Sequence, residues 1–496
     1  MSVVLIPALG ALLVLFVDAL FGAGARTAQA TRASALSGIR LGVIAVLTLL
    51  SVLLLLPTRV GVAEAGAFSL DAFAAVGITL IVAMSFLVWT LSLTHFGMAR
   101  SRPGEPIALL LFSLSGFLAA ITSQNLLVLM LCLELAWLPP LALIAIDSRR
   151  LSSSESSLKV FFAHAFASLV FAHGIALLFL ATGRFDLALL SEPSVARPFL
   201  FAVGTGLLFV GLIARCAIAP FHPWAPDMHE GAPAFVTAHM ATAAQTACFL
   251  VLLRLLHAVV PADPSLASEL ARRIPDWLGF LACLTLVWGH AMALVQVGLR
   301  RLVGWLAVGQ VGFLALALVD ARGPGGEALV QALLATGLAI VGVLTTLSSL
   351  SHHERACEHV GDLAGMSSQS PTRATLLALF LLSLAGFPGT MGFVARRDVL
   401  TAVEHAGHRG WLLAGVVATV LALTAVGRPL IAMLRPNADP RAASRALTNE
   451  QVVLAVCGTL LLYLGMAPLF GEQAISGSLA QWIATGVASL RGQATS

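Results

Sequence analysis

Residues able to do acid–base or ionic chemistry are sparse in this sequence, and several stand where an apolar segment would normally have none. Glu134 lies midway through QNLLVLMLCLELAWLPPLALIAI, Arg215 sits in GLIARCAIAPFHPWAPDMHEGAP, and Arg396, Arg397 and Asp398 fall near the end of LLSLAGFPGTMGFVARRDVL. A charge inside a bilayer is costly unless it meets an opposite charge or water, so such residues mark ion pairs, ion paths or proton relays. Glu134 and Arg215 are natural partners. Two readings of Glu134 remain open at this level: a step in a proton path, or a structural group that is simply paired or held protonated by desolvation. In the Arg396–Arg397–Asp398 run, Asp398 can neutralise one arginine. His164, His173, His239 and His290 are lone histidines on apolar segments, each either a packing residue or a relay; His164 and His239 are the two placed to share a water wire. His352, His353 and His359 suggest a metal tract, but their polar setting, HHERACEH, reads as a solvated linker. Six cysteines are scattered without a CxxC, so no metal site is expected.

The elements that must position these groups follow from composition. Of 496 residues, 59% are hydrophobic and 10% charged. That balance excludes a soluble enzyme and specifies an all-α polytopic membrane protein. Net charge is +4 with dispersed arginines, which provides no patch for nucleic acid. Apolar windows long enough to span recur along the whole chain, and about fourteen transmembrane helices are expected: 3–23, 38–57, 70–94, 106–122, 125–146, 159–182, 198–219, 232–258, 276–299, 301–319, 327–351, 372–402, 411–433 and 449–470. The whole chain, 1–496, reads as one integral membrane domain. It ends in a C-terminal helix and tail, 449–496, in which 474–490 is amphipathic and suited to a membrane surface. The first apolar run reads as a retained span. Basic residues between spans put both termini outside, with fifteen on the opposite, cytoplasmic side against eight. Arg254 and Arg428 lie near span ends and are expected to snorkel to the interface.

Two spans are interrupted alike. The seventh meets Pro220, Pro223 and Pro226 after Arg215, and the twelfth meets Gly386, Pro388 and Gly389 before Arg396. Proline removes an intrahelical hydrogen bond, and irregular backbone at membrane depth persists only where protein or a watery cavity satisfies the freed groups. The interruptions lie five spans apart. They therefore suggest an inverted repeat, with helices 4–8 over 106–258 and helices 9–13 over 276–433.

Several longer stretches carry a family resemblance, in order along the chain: GEPIALLLFSLSGFLAAITSQNLLVLMLCLELAWLPPLALIAI, ESSLKVFFAHAFASLVFAHGIALLFLATGRFDL, APFHPWAPDMHEGAPAFVTA, LVQVGLRRLVGWLAVGQVGFLALAL and FLLSLAGFPGTMGFVARRDVL. From about residue 70 to 435 the sequence resembles the antiporter-like membrane subunits of the respiratory NADH:quinone oxidoreductase, complex I, and most closely the N-subunit type. The resemblance implies fourteen helices with inverted five-helix repeats and broken helices 7 and 12. It also implies redox-driven proton translocation in a bacterial inner membrane, with other membrane and peripheral subunits as partners. No cofactor is expected on this chain; NADH, FMN, iron–sulfur clusters and quinone would belong to other subunits.

Members of this family resemble two half-channels joined by a hydrated line of charge: a glutamate on the fifth helix and lysines on the seventh, eighth and twelfth. Glu134 matches the glutamate. The three lysine positions are Arg215, Gln245 and Arg396 here, and the tenth helix offers Gln310. Possible relays beside this path are His164, His222, His239 and Gln310. Arginine stays protonated where a buried lysine can exchange its proton, so the arginines would act as fixed electrostatic gates along water and Glu134. Two alternatives remain: a non-pumping structural paralogue in a related redox complex, and a free-standing cation/proton antiporter.

Overall fold

A computed structural model of the chain describes residues 2–22, 30–56, 66–98, 104–146, 151–191, 197–260, 269–351, 357–436, 447–469 and 475–493. Its helices, in order, are α1 (Ser2–Gly22), α2 (Ala30–Leu55), α3 (Ala72–Met98), α4 (Gly104–Thr122), α5 (Leu126–Ile144), α6 (Leu151–Thr182), α7 (Pro198–Arg215), α8 (Trp224–Gly231), α9 (Ala234–His239), α10 (Gln245–Val259), α11 (Glu269–Val295), α12 (Leu299–Ala317), α13 (Gly325–Leu350), α14 (Met366–Gln369), α15 (Pro371–Ala385), α16 (Met391–His405), α17 (Arg409–Leu434), α18 (Thr448–Met466) and α19 (Ile475–Gln493). A π-helical turn, Met240–Ala244, joins α9 to α10. Twelve stretches among the described residues are long and apolar enough to cross a membrane, and Gly42–Leu55 and Pro371–Ala385 are shorter apolar helices.

Helices without an apolar/polar division are buried on all sides or exposed to lipid, and the windows here sort into both kinds. The window in α12 is 100% buried, the α9–α10 span 94% and α13 83%, whereas α17 is 28% and α6 33% buried. The first three therefore form the centre of the bundle and carry Gln245, Gln310 and Thr336, while Glu134, Ser168, Arg215 and Arg396 come from α5, α6, α7 and α16 around it. Close approach between helix pairs relies on small residues. A Cβ on Gly116 of α4 would lie 2.5 Å from the Ala136 backbone nitrogen of α5, and one on Gly289 of α11 would lie 2.5 Å from the Gly309 nitrogen of α12.

Several expectations are corrected. Arg254 does not snorkel: its side chain is 7% exposed, and Nη2 donates to both Asp71 carboxylate oxygens at 2.8 and 2.7 Å. Asp71 also caps α3 by accepting from the Ala74 N–H at 2.6 Å, so the guanidinium is held at a helix start. Arg428 instead donates to the Leu294 and Gln296 carbonyls, satisfying the end of α11. Pro226 is no break, because it lies in the first turn of α8, where a missing N–H costs nothing. The amphipathic tail packs on the protein, with Ser489 of α19 accepting from the Phe73 N–H of α3 at 3.2 Å. His359 is largely exposed, while His352 and His353 lie outside the described residues. So do Arg26, Arg59, Arg100, Arg102, Arg149, Arg150, Arg355, Arg441 and Arg445, on which much of the expected orientation rests.

Candidate proton path

Arg215 is the last residue of α7, and its side chain is fully buried. From there Nη2 donates to Glu134 Oε1 at 2.5 Å and to Ser168 Oγ at 2.7 Å. Ser168 in turn donates to the same Glu134 oxygen at 2.6 Å. The pair is monodentate: Nη1 and Nε of Arg215 are buried with no partner among the described residues. Glu134 keeps 31% of its side chain exposed, on the outer side of α5. Within four residues of it on that helix, Leu131, Leu135 and Leu138 are 60, 45 and 54% exposed.

The broken seventh span leaves backbone groups free, and side chains meet three of them. Gln245 Nε2 donates to the Cys216 carbonyl at 2.9 Å, Trp224 Nε1 to the Ala214 carbonyl at 3.3 Å, and the Ala219 N–H donates to Thr285 Oγ1 of α11 at 2.9 Å. Gln245 is thus not paired with Arg215. The π turn ends immediately before Gln245, which places its amide toward the break; such bulges recur at functional sites. Thr285→Val removes the acceptor for a buried N–H and is expected to lower stability by about 1–3 kcal/mol. Thermal unfolding of the assembled protein would check this, and an unchanged midpoint would count against the role given to the hydroxyl.

The second break begins at Gly386, which closes α15 with φ +76°. Pro388 and Gly389 lie in the non-helical stretch that follows, and α16 then carries Arg396. Arg396 Nη2 donates to the Leu384 carbonyl at 2.5 Å and Nη1 to Thr419 Oγ1 at 3.1 Å, while its guanidinium carbon lies 4.2 Å from the Phe313 ring centre. Gln310 Nε2 donates to the same Leu384 carbonyl at 2.5 Å. Arg396 is 5% exposed, and its contacts among the described residues include no carboxylate. Asp398 pairs instead with Arg397 at 2.7 Å.

Two small cavities lie between the two breaks. One, with about 30 Å³ open to the centre of a water molecule, is lined by Ala217, His229, Gln245, Gln310 and Thr336, among others; the second, about 10 Å³, lies between Gln310, Thr336, Ser383 and Arg396. One water needs roughly 10–15 Å³ by that measure. Gln310 and Thr336 line both.

The expected histidines distribute unevenly. His164 lies beside the ion pair, since its carbonyl accepts from Ser168 at 2.8 Å, and its ring packs against Trp137, tilted by 40° with centroids 3.9 Å apart. His239 is not joined to it: Nε2 is 2.9 Å from Ser113 Oγ, and the Trp137 and Phe117 rings intervene. His222 lies in the break with its ring 5.6 Å from Trp305. Sequence reasoning did not single out Ser168, Thr285, Thr336, Thr419 or His229.

The sequence pattern of the family described as NADH:quinone oxidoreductase/Mrp antiporter, TM, matches residues 123–422. The chain belongs to that family. The match runs from the residues before α5 into α17, and so takes in Glu134, both breaks and both cavities. NADH-quinone oxidoreductase subunit N of Desulfovibrio desulfuricans is 34% identical over 415 residues, covering 79% of this chain and 79% of that protein. Subunit N of Deinococcus radiodurans is 34% identical over 382 residues, covering 75% and 74%. A chain of respiratory complex I from Thermus thermophilus with bound aureothin superposes with a TM-score of 0.76 at 27% identity, covering 94% of this chain and 97% of that one. A chain of the Mrp complex from Dietzia shares the fold, with a TM-score of 0.79 at 18% identity. Within the NADH:quinone oxidoreductase/Mrp family, this chain is a multi-pass membrane protein whose relatives work as subunits of larger complexes.

Proposed function

We propose that this chain is an N-type membrane subunit of a respiratory NADH:quinone oxidoreductase and carries one proton path of that complex. The observation that carries the proposal is the Arg215–Ser168–Glu134 cluster at the first break, together with two cavities, one lined by Gln245, Gln310 and Thr336 and the other by Gln310, Thr336 and Arg396. Glu134 is the carboxylate that relays the proton in this reading. Arg215 and Arg396 stay protonated and set the local potential, while Gln245 and Gln310 orient water. The two breaks lie five spans apart, and the glycine contacts of Gly116 with Ala136 and of Gly289 with Gly309 join the fourth to the fifth span and the ninth to the tenth; both support the inverted repeats over 106–258 and 276–433. Both termini lie outside in this reading, and NADH, flavin, iron–sulfur clusters and quinone belong to partner subunits.

Lateral assembly follows from Glu134. A carboxylate that is one-third exposed among exposed leucines at mid-span is costly against lipid, and its Oε2 makes no hydrogen bond within the described chain. A neighbouring subunit covers this face and supplies a donor to Oε2.

Glu134→Gln keeps the shape of the side chain and removes its titration. In the purified complex in proteoliposomes, it is expected to lower the number of protons pumped per electron without loss of assembly. An unchanged ratio would mean that the chain is a scaffold and does not conduct.

A further inference from the structure

His229 lies on α8 with 2% of its surface exposed, and Nδ1 is 3.0 Å from the Ala225 carbonyl. A carbonyl only accepts, so Nδ1 carries the hydrogen and the neutral ring presents Nε2 as a lone pair. Nε2 is buried without a protein partner, and His229 lines the larger cavity together with Gln245, Gln310 and Thr336.

The surroundings of the ring are built on two sides. Gly304 of α12 admits its root, since a Cβ there would be 3.0 Å from His229 Cβ. Ser153 and Ser156 of α6 pin α8 by donating to the Gly231 and Asp227 carbonyls, each at 2.7 Å. The charged groups around α8 are Asp227 and Glu230 on the helix itself, Glu155 and Lys159 from α6, and Arg300 and Arg301 from α12. Lys159 pairs with Glu155 at 2.6 Å and Asp227 at 2.9 Å, Arg301 pairs with Glu230 at 3.0 Å, and Arg300 donates to the Ala232 carbonyl at 3.0 Å. From α10, α12 and α13 the cavity wall itself contributes Gln245, Gln310 and Thr336, which are neutral. One short helix therefore turns an ion-pair network toward the surface and an imidazole toward the internal cavity.

We propose that His229 is a proton-loading site on the path, the titratable group that the cavity beside Gln245 otherwise lacks. This deepens the reading above and rests on it. A hydrated proton in the cavity binds Nε2 and leaves water behind, giving imidazolium. Because Nδ1–H is committed to the Ala225 carbonyl, the proton leaves again from Nε2 to a cavity water on the Gln310–Arg396 side. His229 thus stores a proton between two water segments.

The test uses the intact complex in proteoliposomes, comparing proton-to-electron ratios of the parent, His229→Gln, His229→Lys, Glu134→Gln and Ala241→Leu. Ala241 lines the cavity, and leucine there fills it without touching the imidazole's chemistry. His229→Gln is expected to reduce proton flux through this subunit by about a hundredfold, the order of a lost acid–base group, so that its ratio equals that of Glu134→Gln. His229→Lys restores pumping with a displaced pH profile, which a merely structural histidine would not do, and Ala241→Leu reproduces the loss. A parental ratio in His229→Gln alongside a lowered ratio in Glu134→Gln overturns the role of His229 and leaves the conducting reading intact. A parental ratio in Glu134→Gln overturns the conducting reading itself. Should His229→Gln fail to assemble, Ala241→Leu decides, and a parental ratio there sinks the proposal.

Discussion

Arg215→Leu is expected to destabilise the subunit by about 3 kcal/mol, the low end for breaking a buried ion pair, which is about a hundredfold in the folding equilibrium. The cost arises on Glu134. With Arg215 gone, the carboxylate keeps only Ser168 as a donor among the described residues of the chain and must either protonate or remain charged beside leucines. The estimate is set at the low end because Glu134 retains 31% exposure. A second change, Glu134→Leu, removes the orphaned acid and is expected to recover most of the loss, since replacing both partners by apolar groups is often nearly neutral. Thermal unfolding of the four members of this double-mutant cycle measures the coupling. If Arg215→Leu alone unfolds at the parental temperature, the pair does not hold α5, α6 and α7 together.

Gly386→Val is expected to disrupt the second break through two separate effects. Gly386 has φ +76°, which is strained by roughly 1–2 kcal/mol for a residue with a Cβ and more for a branched one. A Cβ there would also lie 2.3 Å from Arg396 Cδ. Arg396 has no easy retreat, because the Leu384 carbonyl, Thr419 and the face of Phe313 fix its far end. Gly389→Ala separates the effects: φ is +87° but nothing lies within 4 Å of the added carbon, so only backbone strain is expected. Gly386→Val should therefore cost about 3 kcal/mol or more and abolish pumping, whereas Gly389→Ala should cost about 1–2 kcal/mol and leave pumping largely intact. Equal losses in the two variants would show that the contact with Arg396 contributes nothing.

By itself the sequence determined where the helices run and where two of them break. Spanning length is set by the bilayer, and an apolar run of the right length has few alternatives once water is excluded. The interruption at Gly386–Pro388–Gly389 is local, since a positive φ does not fit inside a helix; at the seventh span it is the cluster of Pro220, Pro223 and Pro226 that marked the break, because α5 runs through Pro139 and Pro140 unbroken. Glu134 and Arg215 were legible because charge is rare here and a buried carboxylate needs a cation.

What only the tertiary structure decided is which groups meet. Arg254 stands as near a span end as a snorkelling arginine would, and only packing places it on Asp71, 183 residues away. Ser168 and Thr285 look like any hydroxyl bonded to the carbonyl four residues back, a bond each of them also makes. Their second bonds, to Glu134 and to the freed Ala219 N–H, exist only because α6 and α11 lie against the first break. His229 is one more histidine in a polar-looking stretch until α8 forms and turns its ring from the surface ion pairs to the cavity. Covalent geometry and the bilayer act locally and leave their record in composition and spacing; a hydrogen-bond partner or a shared cavity wall depends on distances that a linear sequence does not contain.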